Sequence, residues 1–201
     1  MQPSSPKPKK NSERTGKFFI VMGTNGTGKT TTIKDFVAAE LRKPGGRVLI
    51  LTPDASEFIN VPEVSADFPE RIQRYSGARK ILTTKSNAAS TLQLIYDHYR
   101  EGLLVFDDCR AYFKAATLDI LETVLVRRRM MMVDIIAVGH GPNKIPPAFF
   151  AYATHFVLFK TTVPMRCRKD ELDNIEYWET VQQNINQKAN SDPHYKEIHS
   201  L

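Results

Sequence analysis

Residues 17–32, KFFIVMGTNGTGKTTT, decide the fold of this chain. Residues 18–22 form an uninterrupted apolar run, which is typical of a short β-strand buried on both faces. From Lys29 to Arg42 the spacing changes to that of a helix, with a buried stripe made of Ile33, Phe36, Val37 and Leu41. Pro44-Gly45-Gly46 predicts the end of that helix. The stretch is therefore a strand, a glycine-rich loop and a helix in succession.

The same alternation continues along the chain. We expect further strands over 47–52, 78–84, 103–107, 133–139 and 154–160, and helices near 69–75 and over 87–100, 115–129 and 170–188. Apolar strands that alternate with helices predict an α/β fold, a mostly parallel sheet with helices on both faces. The last helix carries a stripe that either docks on the core or binds a separate partner, formed by Leu172, Ile175, Trp178, Val181 and Ile185.

Composition narrows the class of protein. The chain has 201 residues, of which 41% are hydrophobic, and a formal net charge of +6, so one globular domain with at most an appendage is expected. It has no apolar run of about 18 residues, which excludes a transmembrane helix, and its N-terminus lacks an apolar signal segment. Cys109 and Cys167 stand far apart without metal-ligand spacing, which predicts a reduced, cytoplasmic protein.

The loop between the first strand and helix fits the phosphate-binding pattern G-x-x-x-x-G-K-[ST]. Its glycines let backbone N–H groups turn towards a phosphate chain, and the start of the helix adds partial positive charge. We expect Lys29 to neutralise the β- and γ-phosphate oxygens of ATP, and Thr30 to ligate Mg²⁺. The predicted phosphate-binding residues are Gly23, Thr24, Asn25, Gly26, Thr27, Gly28, Lys29, Thr30 and Thr31. On this basis residues 17–165 form a P-loop ATPase domain, 1–16 a disordered basic tail, and 166–201 a C-terminal helical appendage packed on the core.

Two carboxylates follow the apolar strand at 103–106. Parallel sheets bind ligands at the carboxyl ends of their strands, so Asp107 is predicted to join the Mg²⁺ shell together with Thr30. Asp108 is a candidate to orient and polarise the attacking water, as a general base does. The alternative for Asp108 is a turn or helix-capping residue.

The kind of phosphate chemistry depends on other segments. Asn143-Lys144-Ile145-Pro146 lacks the aspartate of a guanine-reading motif, which argues against a GTPase. A small-molecule kinase requires an arginine-rich lid over the phosphates. Arg166, Arg168 and Lys169 are candidates for one, but no glycine-rich mobile segment surrounds them.

Three consecutive arginines, Arg127 to Arg129, close a predicted helix, and His140 ends the strand that follows. Residues about 100° apart around a helix cannot all face their own core. Arg129 either is solvated at the helix end or reaches a neighbouring subunit's nucleotide as an arginine finger. His140 either senses the γ-phosphate or belongs to a plain turn with Gly141-Pro142.

These motifs together resemble the FtsK/HerA superfamily of P-loop ATPases. The closer likeness is to zonula-occludens-toxin-like and filamentous-phage assembly proteins, and to genome-packaging ATPases of tailless viruses. It spans about Lys17 to Lys160 and is carried by Gly23–Thr30, Phe106-Asp107-Asp108, Arg129, Asp134-Ile135-Ile136 and His140. Arg129 precedes His140 by eleven residues, as an arginine precedes the polar sensor in that family. Two departures stand out: His140 replaces a glutamine, and Asp108 replaces a glutamate.

The resemblance implies a sheet of order 5-1-4-3-2, with the sensor strand between the P-loop strand and the strand of the metal carboxylate. It also implies a ring, usually a hexamer, that threads double-stranded DNA. Without a membrane segment the chain looks most like a viral genome-packaging motor, located in the host cytoplasm or on the virion and partnered by a capsid or portal-like protein. The alternatives are an assembly or secretion ATPase that moves no DNA, and a phosphotransferase. A basic stretch either follows DNA phosphates or is a solvated face, and it comprises Arg71, Arg74, Arg79 and Lys80.

Overall fold

A computed structural model describes residues 14–73 and 75–201 of the chain. Its centre is a seven-stranded sheet of order β3-β2-β4-β5-β1-β6-β7. The first six strands pair in parallel, and β7 is antiparallel to β6. The strands are β1 (Phe18–Met22), β2 (Arg47–Thr52), β3 (Gly77–Leu82), β4 (Gly102–Phe106), β5 (Val133–Gly139), β6 (His155–Phe159) and β7 (Lys196–Ser200).

Helices cover both faces of this sheet. They are α1 (Lys29–Leu41), α2 (Glu70–Gln73), α3 (Ala88–His98), α4 (Leu118–Met131), α5 (Pro147–Tyr152) and α6 (Ile175–Lys188). Side chains alternate along a strand, so Val21 of β1 packs in a smaller core with Ile33 of α1, whereas Ile20 faces a larger core that also holds apolar residues of α3, α4, α5 and α6. The predicted three-layer α/β fold is confirmed.

The strand order agrees with the order expected from the resemblance. Without the outer strands β3 and β7, the sheet reads β2-β4-β5-β1-β6, which is 5-1-4-3-2 when these five strands alone are numbered. β5 lies between β1 and β4. The strand that ends at His140 therefore separates the P-loop strand from the strand that leads to Asp107.

The C-terminal segment differs from the prediction of a purely helical appendage. The apolar stripe of α6 is buried, with Trp178, Val181 and Ile185 in the larger core, so the stripe docks on this chain. Residues 196–200 then add β7 to the sheet. This strand was not predicted because KEIHS is mostly polar and half exposed, and its pairing partner β6 lies far away in sequence.

The amino ends of the parallel strands form an edge that is closed by charged groups. Arg14 forms an ion pair with Glu40, and its Nη1 donates to Asp134 at 3.1 Å. The Asp134 carboxylate also accepts the Lys17 N–H at 2.8 Å. Residues 1–13 of the expected tail lie outside the described residues, whereas Arg14 to Gly16 belong to the fold.

The two cysteines have different environments. Cys109 is buried directly after Asp107 and Asp108, and burial raises the pKa of its thiol. Cys167 is exposed in a short helical turn at Met165–Arg168. Both are free thiols.

Candidate nucleotide-binding site

The P-loop is a tight turn between β1 and α1 whose shape requires glycine. Gly26 and Gly28 have φ of 77° and 95°, in the left-handed region that favours glycine. At Gly23 a Cβ would lie 2.5 Å from Cβ of Phe159, so no side chain fits there. The Thr24 N–H donates to the carbonyl of Lys160 at 2.8 Å, which fixes the loop against the end of β6.

Lys29 lies under this loop and is only 8% exposed. Its Nζ donates to the carbonyl of Thr24 at 2.8 Å. Burial lowers the pKa of Lys29, and the nearby carboxylates of Asp107 and Asp108 partly oppose that shift. Thr30 and Thr31 are exposed in the first turn of α1, where backbone N–H groups lack intrahelical partners. This end of α1 therefore presents donors and a buried cation to the same space.

Asp107 follows β4 and is half-buried beside that space. One of its carboxylate oxygens accepts the Thr52 hydroxyl at 3.2 Å. Burial raises the pKa of Asp107 to about 6; the Thr52 hydrogen bond lowers it, and Glu57 and Asp108 raise it. Thr52, at the end of β2, was not singled out from the sequence, and it orients the carboxylate that was.

Asp108 lies in a turn, and its side chain lines the cavity. Its backbone is left-handed, with φ of 41°, at the cap position of the short helix Cys109–Ala111. The side chain makes no capping hydrogen bond, and its Oδ1 lies 3.9 Å from Nε2 of His140. His140 likewise occupies a bend after β5 while its ring faces Asp108. Both side chains are partly exposed to the space above the P-loop.

A cavity of about 510 Å³ joins these groups. Of the predicted residues, Asn25, Gly26, Gly28, Lys29, Thr30, Thr31, Asp107, Asp108 and His140 line it. The remaining predicted loop residues do not line the cavity and instead stabilise the conformation of the loop: Gly23, Thr24 and Thr27. The Thr27 hydroxyl, for example, donates to the carbonyl of Thr24 at 2.9 Å.

Sequence reasoning missed six lining residues: Pro53, Asp54, Glu57, Val138, Gly139 and His194. The first three follow β2, and their place after a parallel strand was a usable signal. His194 precedes the unpredicted β7, so it had no signal.

The three arginines have three different environments. Arg128 is 7% exposed, and its guanidinium donates to the carbonyls of Gly16, Leu125 and Tyr152 at 2.9, 2.6 and 3.1 Å. The guanidinium of Arg127 lies 5.9 Å from the ring centre of Tyr96. Arg128 is therefore committed to its own fold and cannot reach another molecule.

Arg129 is exposed and lies at the amino edge of the sheet, where α4 ends before β5 begins. Among residues 14–73 and 75–201, it has no hydrogen bond or ion pair from its side chain. β5 separates this edge from the nucleotide cavity by about 20 Å, so Arg129 cannot reach its own P-loop. On the same helix Val126 and Met130 are 56% and 75% exposed.

The expected basic stretch is not continuous. Lys80 is buried, and its Nζ donates to the carbonyls of Ala55 and Glu57 at 2.7 and 3.1 Å. Arg79 lies 4.9 Å from the ring centre of Tyr75, and Arg71 5.0 Å from that of Phe68; Arg74 lies outside the described residues. The prediction was wrong for Lys80, because a loop without periodicity covers that strand residue.

The candidate kinase lid is fixed in the fold. Arg168 donates to the carbonyls of Pro142 and Ile145 at 2.9 and 2.7 Å, and Arg166 pairs with Glu179. Neither residue lines the cavity, which argues against a lid that closes over phosphates.

No family model and no curated protein matches this chain. Solved structures do match. The genome packaging NTPase B204 from Sulfolobus turreted icosahedral virus 2, in complex with ATP-gammaS, has a TM-score of 0.70 at 16% identity, over 92% of this chain and 97% of that one. This chain has the B204 fold.

Two further B204 structures agree. The complex of the same NTPase with AMPPCP has a TM-score of 0.67 at 16% identity, over 92% and 97% of the two chains. The DNA-packaging ATPase B204 from Sulfolobus turreted icosahedral virus has a TM-score of 0.64 at 13% identity, over 93% and 98%. The predicted resemblance to genome-packaging ATPases is thus confirmed at the level of the fold.

None of the helices between Arg14 and Leu201, Arg74 aside, has the length and apolar character needed to cross a bilayer.

Proposed function

We propose that this chain is a magnesium-dependent ATPase that works as a ring of identical subunits and translocates double-stranded DNA, as a viral genome-packaging motor. The observation that carries the proposal is the cavity itself. A buried lysine, Lys29, and the first turn of a 13-residue helix face the partly buried carboxylate of Asp107 across open space. Such a site is electrostatically incomplete without a triphosphate and its cation.

The donors at this site fit Mg²⁺. Asp107 accepts the Thr52 hydroxyl with one oxygen, and burial raises the pKa of its carboxyl group. Thr30 offers an exposed hydroxyl. Mg²⁺ is usually held by one or two protein oxygens together with phosphate oxygens and waters, so Asp107 and Thr30 are the residues that would hold it. When bound, Mg²⁺ would supply charge neutralisation on the β- and γ-phosphates.

Asp108 and His140 supply the hydrolytic step. A water oxygen attacks the γ-phosphorus while the bond to the β–γ bridging oxygen breaks, and the Asp108 carboxylate accepts the proton of the water. His140 lies beside Asp108, with 3.9 Å between its Nε2 and Oδ1 of the carboxylate, and its ring can donate to a γ-phosphate oxygen. Loss of the γ-phosphate would change both contacts, which supports a sensor role for His140.

The ring assembly rests on Arg129. An exposed guanidinium about 20 Å from its own P-loop, beside the exposed apolar side chains of Val126 and Met130, is suited to an interface in which it completes a second copy's site. The packaging role rests on the shared fold with B204, and it brings in DNA, a capsid or portal-like partner, and a place in the host cytoplasm or on the virion.

Phosphate release measured with and without duplex DNA, over a range of protein concentrations, tests this proposal. We expect turnover per subunit to rise steeply with concentration, because a neighbour completes each site, and to increase when DNA is added. Stimulation should weaken as salt rises, since DNA phosphates bind protein cations by releasing counterions. Turnover that depends on concentration but not on DNA would favour the assembly ATPase instead. Transfer of phosphate to a small molecule would indicate a kinase.

A further inference from the structure

The segment before the unpredicted strand β7 places the imidazole ring of a histidine in the nucleotide cavity. β7 pairs with β6 so that Lys196 lies opposite Phe159, which places the start of β7 at the same edge as the P-loop. His194, two residues earlier, lines the cavity. Its Nδ1 lies only 3.2 Å from the point that a Cβ on Gly28 would occupy. The imidazole thus lies directly over the last glycine of the P-loop.

Several contacts fix the position of His194. Lys196 donates from Nζ to the Thr32 hydroxyl of α1 at 3.0 Å. The His194 N–H donates to Oδ1 of Asp192 at 2.9 Å, and Asn190 accepts from Lys160 Nζ at 3.4 Å. The segment is therefore tied to α1 and to the end of β6, and His194 is held over the P-loop.

The order of the strands gives the direction in which a nucleotide must lie. Asp107, Asp108 and His140 follow β4 and β5, on one side of the P-loop strand, whereas His194 comes from beyond β6, on the other side. A triphosphate with its γ-phosphate near the carboxylates extends its α-phosphate past Thr31, and its nucleoside leaves the loop on the His194 side. Within the described residues, the flat rings in the cavity lining are those of His140 and His194.

We propose that His194 is the platform on which the nucleobase stacks. This inference rests on the proposed nucleotide-binding function and adds to it the residue that holds the nucleoside end. Stacking uses the face of a ring and does not read its hydrogen-bonding edge, so it tolerates different bases. His194 therefore binds adenine and guanine nucleotides through the same contact.

The test compares ATP with inorganic tripolyphosphate, which has the phosphates and no base. Calorimetry gives the dissociation constants of ATP, GTP and tripolyphosphate. The proteins compared are wild type, His194→Ala, His194→Asn and His194→Phe. We expect His194→Ala and His194→Asn to weaken ATP and GTP about tenfold each, the size of a stacking contact removed by alanine. Tripolyphosphate binding should not change, and His194→Phe should stay within about twofold of wild type because it keeps a flat ring.

His98→Ala is the matched control, because His98 ends α3 and does not line the cavity; it should bind every ligand as wild type does. Equal weakening of ATP and tripolyphosphate would place His194 on the phosphates and overturn the inference. So would unchanged ATP binding in His194→Ala, or His194→Phe as weak as His194→Ala. Tripolyphosphate binding also reports that each variant is folded.

Lys29→Ala separates this inference from the proposed function. If wild type binds both ligands and Lys29→Ala binds neither, the nucleotide site stands whatever the His194 variants do. If wild type binds neither ligand, the proposed function and the inference are both wrong.

Discussion

A carboxylate at each edge of the sheet has a shifted pKa, and the two shifts have opposite directions. At the carboxyl edge, burial raises the pKa of Asp107 to about 6, and the Thr52 hydroxyl that donates to its side chain only partly opposes that shift. At the amino edge, Glu40 is buried, being 4% exposed. Burial opposes its charge too, but hydrogen bonds from Arg14 and Lys43 outweigh burial and lower the pKa of Glu40.

The difference shows at which edge the charged groups find their partners within the same chain. At the amino edge, Arg14 and Arg128 are bound by carboxylates and carbonyls of the same chain. At the carboxyl edge, Lys29 and Asp107 face an open cavity. Arg129 is the exception at the amino edge, since it is exposed there beside the paired groups. We therefore expect changes at the amino edge to affect stability, and changes at the carboxyl edge and at Arg129 to affect activity.

The largest expected effect is that of Arg129→Ala. It should reduce turnover by about 10³-fold or more, the size of effect of an arginine finger, while ATP affinity and the free energy of unfolding stay near wild type. Arg127→Ala, one residue away on the same helix, is the control and should keep its activity. Mixing Arg129→Ala with Asp108→Asn protein should restore part of the turnover, because some sites then combine both intact residues. Assembly without any such recovery would count against a finger in trans.

The next effect is that of Asp108→Asn. Removing the carboxylate that accepts the proton should lower turnover about 10² to 10⁴-fold and leave ATP bound. Asparagine tolerates the left-handed backbone at this position, so the free energy of unfolding should change little. Single-turnover phosphate release and ATP binding measured on the same samples separate the two steps. Normal turnover would assign Asp108 to the turn alone.

Glu40→Gln tests the amino edge of the sheet, where the charged groups are paired within the chain. It removes the carboxylate that pairs with Lys43 and one of the two that pair with Arg14, and should lower the free energy of unfolding by about 2 kcal/mol near pH 7, with turnover per folded molecule retained. Because the pKa of Glu40 is lowered in the folded state, this stabilisation is present above pH 4.5 and is lost as the pH falls through the folded value. Asp35→Asn, an exposed change on the same helix, is the control for denaturant unfolding. Equal stability of Glu40→Gln and wild type would show that the ion pair contributes nothing.

Asp107→Asn should change the free energy of unfolding by a similar amount and in the opposite direction. The folded protein holds the Asp107 proton more tightly than the unfolded chain, so wild type loses stability as the pH rises from about 4 to about 6. Without nucleotide or metal, Asp107→Asn should therefore be more stable than wild type by about 2 kcal/mol at pH 7.5. The gain should vanish near pH 4. Denaturant unfolding at the two pH values measures it, and a variant less stable at both would mean that the carboxylate is structurally required.

Local features of the sequence were sufficient to predict the strand, loop and helix of the P-loop unit and the position of Asp107 after a strand. The apolar run at β1, the glycine pattern and the start of α1 are adjacent in the chain, and Asp107 follows a wholly apolar strand. Local features could not predict that Arg128 is buried while Arg129 is exposed, because Arg128 is buried by Gly16 and Tyr152, which are distant in sequence. The same holds for Lys80, covered by the loop at Ala55 and Glu57, and for His194, which depends on β7 pairing with β6.

The contrast between the two thiols makes the chain its own conformational reporter. A thiol reagent should modify Cys167 in the native protein and reach Cys109 only when the segment after β4 opens, so the number of labels per molecule counts opened sites. A dye on Cys167 would lie away from the P-loop cavity, whose lining does not include it. Unmodified protein can thus carry one probe for following assembly, while protection of the second thiol by added ATP would measure how firmly nucleotide closes the core beneath Asp107 and Asp108.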